Sequence, residues 1–228
     1  MIFETIVDLS GGGGGGGGDS EGPSKDDIVG DKLEVLLADC PDSYEMGYVN
    51  AMIKEKLNGE KTPYTVVCLQ EMERMNILLA IIRNSLVELK LGMAGALNMS
   101  DLMESLLGDL FAGRVNGNWA KFAYASKKPL ASWFSDLRTR CMQLIIWADL
   151  EAKVMVLPLT LWLPGLFNPM SFLTAVMQTT ARKNSWPLDQ LALETHPQRM
   201  YINNAIKPIE VEEPPADGVY VHGLFMEC

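Results

Sequence analysis

Catalysis and ligand binding need reactive side chains at workable spacing, and in this protein they are sparse. The two histidines, His196 and His222, lie far apart, one beside Pro197 and the other next to Gly223. Neither belongs to an HExxH-type pair that could hold zinc and a general base on one helical face. The four cysteines, Cys40, Cys68, Cys141 and Cys228, include no CxxC pair. Cys68 and Cys141 fall in apolar helical stretches, where a thiol packs as a small hydrophobe. No Gly-x-Ser-x-Gly elbow presents a nucleophilic serine. Eight consecutive glycines, Gly11 to Gly18, raise the question of a phosphate-cradling loop. Such a loop needs a following Gly-Lys-Ser/Thr, and none is there. The nearest approach is Asn58-Gly59-Glu60-Lys61-Thr62, where Glu60 would repel phosphate. Acidic residues are plentiful but read as solvated helix faces, Glu71 among them. No catalytic, cofactor-binding or metal-ligating residue is therefore expected.

Bulk properties narrow the classes further. At 228 residues, 48% hydrophobic and 21% charged, the protein is long enough to bury a large core without disulfide or metal staples. Its net charge of −10 is concentrated near the start, where residues 1–60 hold 13 acids against 4 bases. No basic patch exists to bind nucleic acid, and an acidic surface disfavours anionic membranes. "MIFETIVDLS" has acids and no basic segment, so it does not read as a secretory signal, and a reducing intracellular compartment is expected.

Three segments are expected. Residues 1–60 form an acidic, Gly-rich linker with short helices. Within it "SGGGGGGGGDSEGPSKDD" is a flexible tether. Ser24 or Asp26 caps a helix through "KLEVLLADC", and a second short helix ends at Asn58-Gly59. Residues 61–185 form a helical bundle. Its clearest element starts at Pro63, where Cys68, Met72, Met75, Leu79, Ile82, Leu86, Leu89 and Met93 recur at alternating spacings of 4 and 3. That heptad stripe predicts one apolar face along a helix of roughly 43 Å, built for a bundle core or a dimeric coiled coil. Glu73, Ile77 and Ile81 suggest further contacts beside it. Ser100 and Gly113 bracket the next helix. An aromatic connector carries Trp119, Phe122, Tyr124 and Trp133, which would pin it to the bundle. A further amphipathic helix places Trp133, Leu137, Cys141, Leu144 and Trp147 or Ala148 on one face.

The longest uncharged run, the 28 residues Val154 to Ala181, could in length span a bilayer. Pro158, Pro164 and Pro169 cut it, so it reads instead as a short strand "TLWLPG", a turn, and a helix capped by Asn168 with Pro169 in first position. Residues 186–228 form the start of a β element. There "SWPLDQLALETH", "RMYINNAIKPIEV" and "DGVYVHGLFMEC" read as strands and turns, with Val219, Val221 and Leu224 alternating. The fold expected is mainly α, a bundle with one long helix followed by short β-strands, α+β overall.

Three long stretches carry a resemblance. "TPYTVVCLQEMERMNILLAIIRNSLVELKLGMAG", "NWAKFAYASKKPLASWFSDL" and "GLFNPMSFLTAVMQTTARKNSWPLDQLAL" are similar to the C-terminal region of dynein heavy chains, most like axonemal outer-arm chains of the beta type. "PPADGVYVHGLFMEC" fits the same pattern over residues 62–228, and "FETIVDLS" resembles the segment leaving the last module of the motor ring. The resemblance implies a non-catalytic piece of a ciliary or flagellar microtubule motor. It implies packing on the AAA+ ring and linker of the same heavy chain, and association with other dynein subunits and axonemal microtubules through the parent chain. ATP and magnesium would be held elsewhere in that parent. The family continues beyond "HGLFMEC" with further strands, so a fragment with an incomplete sheet is expected. Pro164, the long "EAKVMVLPLT" and the glycine run depart from the family pattern. Trp162, Phe167, Phe172 and Trp186 join Trp119 and Trp133 as expected packing residues. The rival expectation is a free-standing helical adaptor that dimerises through the 68–93 stripe.

Overall fold

The computed structural model describes residues 24–150, 154–196 and 213–223. The stretches "FETIVDLS", the glycine run, "RMYINNAIKPIEV" and Leu224 lie outside these. Seven helices dominate the described residues: α1 Lys25–Asp39, α2 Met46–Lys56, α3 Pro63–Met93, α4 Asp101–Phe111, the short α5 Gly117–Ala120, α6 Leu130–Ala148 and α7 Pro169–Asn184. Two strands accompany them, β1 Thr160–Trp162 and β2 Tyr220–His222. The architecture is mainly α with a small β element.

Local signals explain the boundaries. Ser24 rather than Asp26 caps α1 in a reciprocal box, its Oγ accepting from the Asp27 N–H while Asp27 accepts from the Ser24 N–H. Asn58 and Gly59, both at positive φ, turn the chain after α2. Thr62 Oγ accepts from the Thr65 N–H at the start of α3. Asn168 accepts from the Ser171 N–H, and Pro169 opens α7. At 31 residues α3 is about 46 Å long at ~1.5 Å per residue.

Two compact units are built from non-consecutive stretches, Met1–Ser43 with Met75–Thr139, and Tyr44–Arg74 with Arg140–Cys228. Helices α3 and α6 each contribute to both. In the first unit α1 buries Val29, Leu33 and Leu36, with Cys40 buried just after it, α3 buries Met75, Leu78, Leu79, Ile82, Leu86 and Leu89, and α4 buries Met103, Leu106 and Leu110. Trp119, Tyr124 and Trp133 form one stack, with Trp133 in the middle, its ring centroid 6.1 Å from that of Trp119 and 5.8 Å from that of Tyr124. Phe122, expected in that group, is 49% exposed. Long cationic side chains cap helix ends: Lys32 donates to the Leu110 and Phe111 carbonyls, and Arg83 to those of Cys40 and Pro41. A Cβ on Gly92 would lie 2.7 Å from Met99 Sδ, so that glycine admits a close methionine contact.

The second unit packs Val49 and Ile53 of α2, Val67, Cys68, Leu69 and Met72 of α3, Cys141, Leu144, Trp147 and Ala148 of α6, and Phe172, Ala175 and Val176 of α7. Trp147 meets Phe172 edge-on at 5.8 Å. β1 and β2 pair in parallel, Thr160 with Tyr220, Leu161 with Val221 and Trp162 with His222. α7 lies between them in sequence and supplies the long connection a parallel pair needs. "SWPLDQLALETH" forms no strand. It holds a single 3₁₀ turn, Leu188–Gln190, because Pro187 lacks an N–H and Leu188 and Leu193 are exposed. Among the described residues no helix is long and apolar enough to cross a membrane.

The buried face of α3 is wider than the heptad stripe. Beside the two expected lines a third runs at seven-residue intervals: Glu71 and Leu78 buried, Ser85 half-buried, Gly92 buried. Glu73 and Ile77, expected to extend the contacts, face outward. Ile82→Ala should cost about 2–5 kcal/mol and Ile77→Ala no more than about 0.5 kcal/mol, read from urea unfolding midpoints. Equal losses would mean that α3 is rotated from this register.

Candidate functional site

The polar chemistry of the second unit gathers where α3 meets the start of α7. Glu71 lies one residue before Met72 on the buried face and is 2% exposed. Its Oε2 accepts the Phe167 N–H at 2.6 Å and its Oε1 the Asn168 N–H at 2.9 Å. One carboxyl thereby satisfies two backbone donors at the helix entrance, where negative charge is also favoured by the dipole. Burial pushes its acidity down, raising the pKa, while the two N–H groups and the nearby Arg74 and Arg140 pull the other way.

Around it a second cluster fixes β1. Gln143 donates to the Trp162 carbonyl at 3.2 Å and accepts from the Trp162 N–H at 2.8 Å, so one side chain on α6 mimics a neighbouring strand. The Arg140 guanidinium sits 4.9 Å from the Trp162 ring. Two glycines crowd the same indole. A Cβ on Gly165 or on Gly223 would fall 2.4 Å from it. Trp162 is thus held by α6, by the 3₁₀ turn Leu163–Gly165 and by the end of β2.

Burial shifts several of the other titratable groups. Burial pushes the Cys68 thiol up to about 12, with the Glu71 charge adding to it, and also raises Cys40. Tyr44 donates to the Cys141 carbonyl at 3.0 Å, and burial raises its pKa. His222 in β2 is lowered by burial, and exposed His196 lies 3.6 Å from Glu194. Among the described residues no three His, Cys, Asp or Glu side chains gather where a metal could be shared.

Of the residues singled out from sequence, Cys68, Met72, Met75, Leu79, Ile82, Leu86 and Leu89 are buried and Met93 is half-buried. Trp119, Trp133 and Phe172 are buried as well, whereas Trp162 and Phe167 are half-buried. Trp186 is 51% exposed, just past Ser185, which ends α7 in the left-handed conformation. Glu71 is the main correction: it reads as a solvated acid and is a buried acceptor. Its seven-residue spacing from Leu78, Ser85 and Gly92 is the available signal. Arg140, Gln143, Gly165 and Gly223 carry none.

Comparison with known proteins gives a consistent result. A family profile described as the C-terminal domain of the dynein heavy chain matches residues 1–228. The protein is 40% identical to human dynein axonemal heavy chain 9 over 226 residues, 99% of its own length and 5% of that protein. It is 41% identical to the dynein beta chain, flagellar outer arm, of Chlamydomonas reinhardtii over 86% of its length and 4% of that protein. Against the dynein alpha chain of the same flagellar arm it is 42% identical over 99% of its length and 5% of that protein. It spans about a twentieth of the length of these relatives.

Glu71→Ala should cost about 2–4 kcal/mol, since it leaves two buried N–H groups unsatisfied, and urea denaturation would read it. Because the folded-state pKa of Glu71 is raised, its titration favours the fold below the ordinary value of 4.5 and loses that contribution as pH rises through the raised value. The stability of the native protein relative to Glu71→Gln should therefore fall across that window and be flat on either side. Gly165→Ala should cost about 1–3 kcal/mol by overpacking Trp162, measured in the same denaturation series.

Proposed function

The protein belongs to the C-terminal domain family of dynein heavy chains, and we propose from that premise that it is the non-catalytic C-terminal part of an axonemal dynein heavy chain. The parent would be a minus-end-directed microtubule motor of cilia and flagella, with ATP and magnesium bound elsewhere in it. This part would pack on the AAA+ ring and linker and support or tune ATP-driven motility. Residues 1–60 would lead from the last ring module, 61–185 form the bundle, and 186–228 begin the β subdomain.

The observation that carries the reading is an outward stripe on α3. Ile77, Ala80, Asn84, Val87 and Leu91 are exposed and recur at alternating spacings of 3 and 4. They share one side of the helix, roughly opposite the buried face. A row of exposed apolar side chains along one face of a helix suits a contact. The stripe is suited to packing against another polypeptide surface, such as the rest of a far longer heavy chain. The adaptor alternative asks more of the molecule. Seven of the eight residues from Cys68 to Met93 are already buried within the protein, so dimerisation through them would require unpacking.

The test places Ile77→Asp with Leu91→Asp, both at exposed positions, in the intact heavy chain. ATP hydrolysis should persist while microtubule gliding slows several-fold. Unchanged gliding would remove the packing role, and loss of ATP turnover in step with gliding would argue for a direct part in catalysis.

A further inference from the structure

We propose that the groove between the first turns of α3 and the length of α7 is a docking site for an acidic, apolar polypeptide segment. Glu71 meets the backbone at Phe167 and Asn168, and Tyr64 lies 5.9 Å from Phe172, so α7 runs back along α3 toward its start. The space between them is an open groove of about 270 Å³. Its floor is apolar, made by Pro63, Val67 and Ala175, all buried, with Val66 partly exposed on one wall. Gln70 and Gln178 add hydrogen-bonding capacity along the walls.

The antiparallel course brings Lys61, just before α3, and Arg182, in the last turn of α7, to the same end. Both are exposed, and among the described residues no acidic side chain lines the groove, the exposed Glu60 lying just outside it. In a protein of net charge −10 this is a local reversal of sign. An acidic segment is repelled by the acid-rich residues 1–60 and attracted to these two cations, which gives register as well as binding. The volume falls just below the range of roughly 300–1,000 Å³ that encloses a drug-sized molecule. It suits one or two side chains of a passing segment, an aliphatic group on Val67 and Ala175 with a carboxylate beside Lys61 and Arg182.

The probe is a fluorescently labelled peptide of alternating Glu and Leu, titrated with the full-length protein at low salt and read by anisotropy. Its partners are the same peptide with Gln for Glu and one with Lys for Glu. The Glu-Leu peptide should bind saturably and the Gln-Leu peptide at least about tenfold more weakly, with binding lost as salt rises. Lys61→Glu with Arg182→Glu should weaken the Glu-Leu peptide by about tenfold or more and confer binding of the Lys-Leu peptide. Ala175→Trp, which fills the floor, should abolish binding whatever the peptide charge. Equal binding of the Glu-Leu and Gln-Leu peptides, indifference to the double reversal, or absence of saturable binding would each overturn the proposal. The gain of Lys-Leu binding also shows that the reversed variant is folded at the groove.

Discussion

The buried face of α3 is the constraint on which both compact units depend. A helix of 31 residues presents far more apolar surface than its own hydrogen bonds can stabilise in water, so its stability comes from what covers it. Three adjacent lines of side chains need cover, rather than the two of a coiled-coil seam. In the first unit Met75, Leu78, Leu79, Ile82, Leu86 and Leu89 go under cover together, and in the second Val67, Cys68, Leu69 and Met72. Removing one methylene group from such a face is felt because interiors are packed as densely as organic crystals.

Polar atoms on that face are tolerated only with partners. Ser85 accepts the indole N–H of Trp119 at 2.8 Å, which anchors the aromatic stack of the first unit. Glu71 accepts two backbone N–H groups at the entrance of α7 in the second. Each polar residue on the third line ties one distant element to α3, so polarity there specifies which element packs where. Gln143 does the same for β1 from α6, occupying both hydrogen-bonding groups of the Trp162 backbone. An isolated two-stranded sheet is marginal in water, and here side chains supply what further strands would.

The same economy bears on function. Several polar side chains of the described residues are engaged with backbone groups or a ring face, as at Glu71, Arg83, Arg140 and Gln143. The outward-facing features of the described residues include an apolar row on α3 and a small groove beside α7.

Sequence alone determined the elements whose causes are local. The period of α3, the caps at Ser24 and Asn168, the prolines opening α3 and α7, and the interruption of the 154–181 run all follow from neighbours within a few residues. So does family membership, which rests on long ordered motifs. Tertiary structure decided the rest. Whether Glu71 meets water or the N–H groups of residues almost a hundred positions away cannot be read from its own turn of helix. Which flank of α3 broadens the core depends on what packs against it, and so Ile77 lies outside while Gly92 lies inside. The type of Trp186 predicts burial, but it lies 51% exposed just past the end of α7. The glycines around Trp162 owe their necessity to an indole brought near by folding, because steric exclusion acts between atoms close in space, wherever they lie along the sequence.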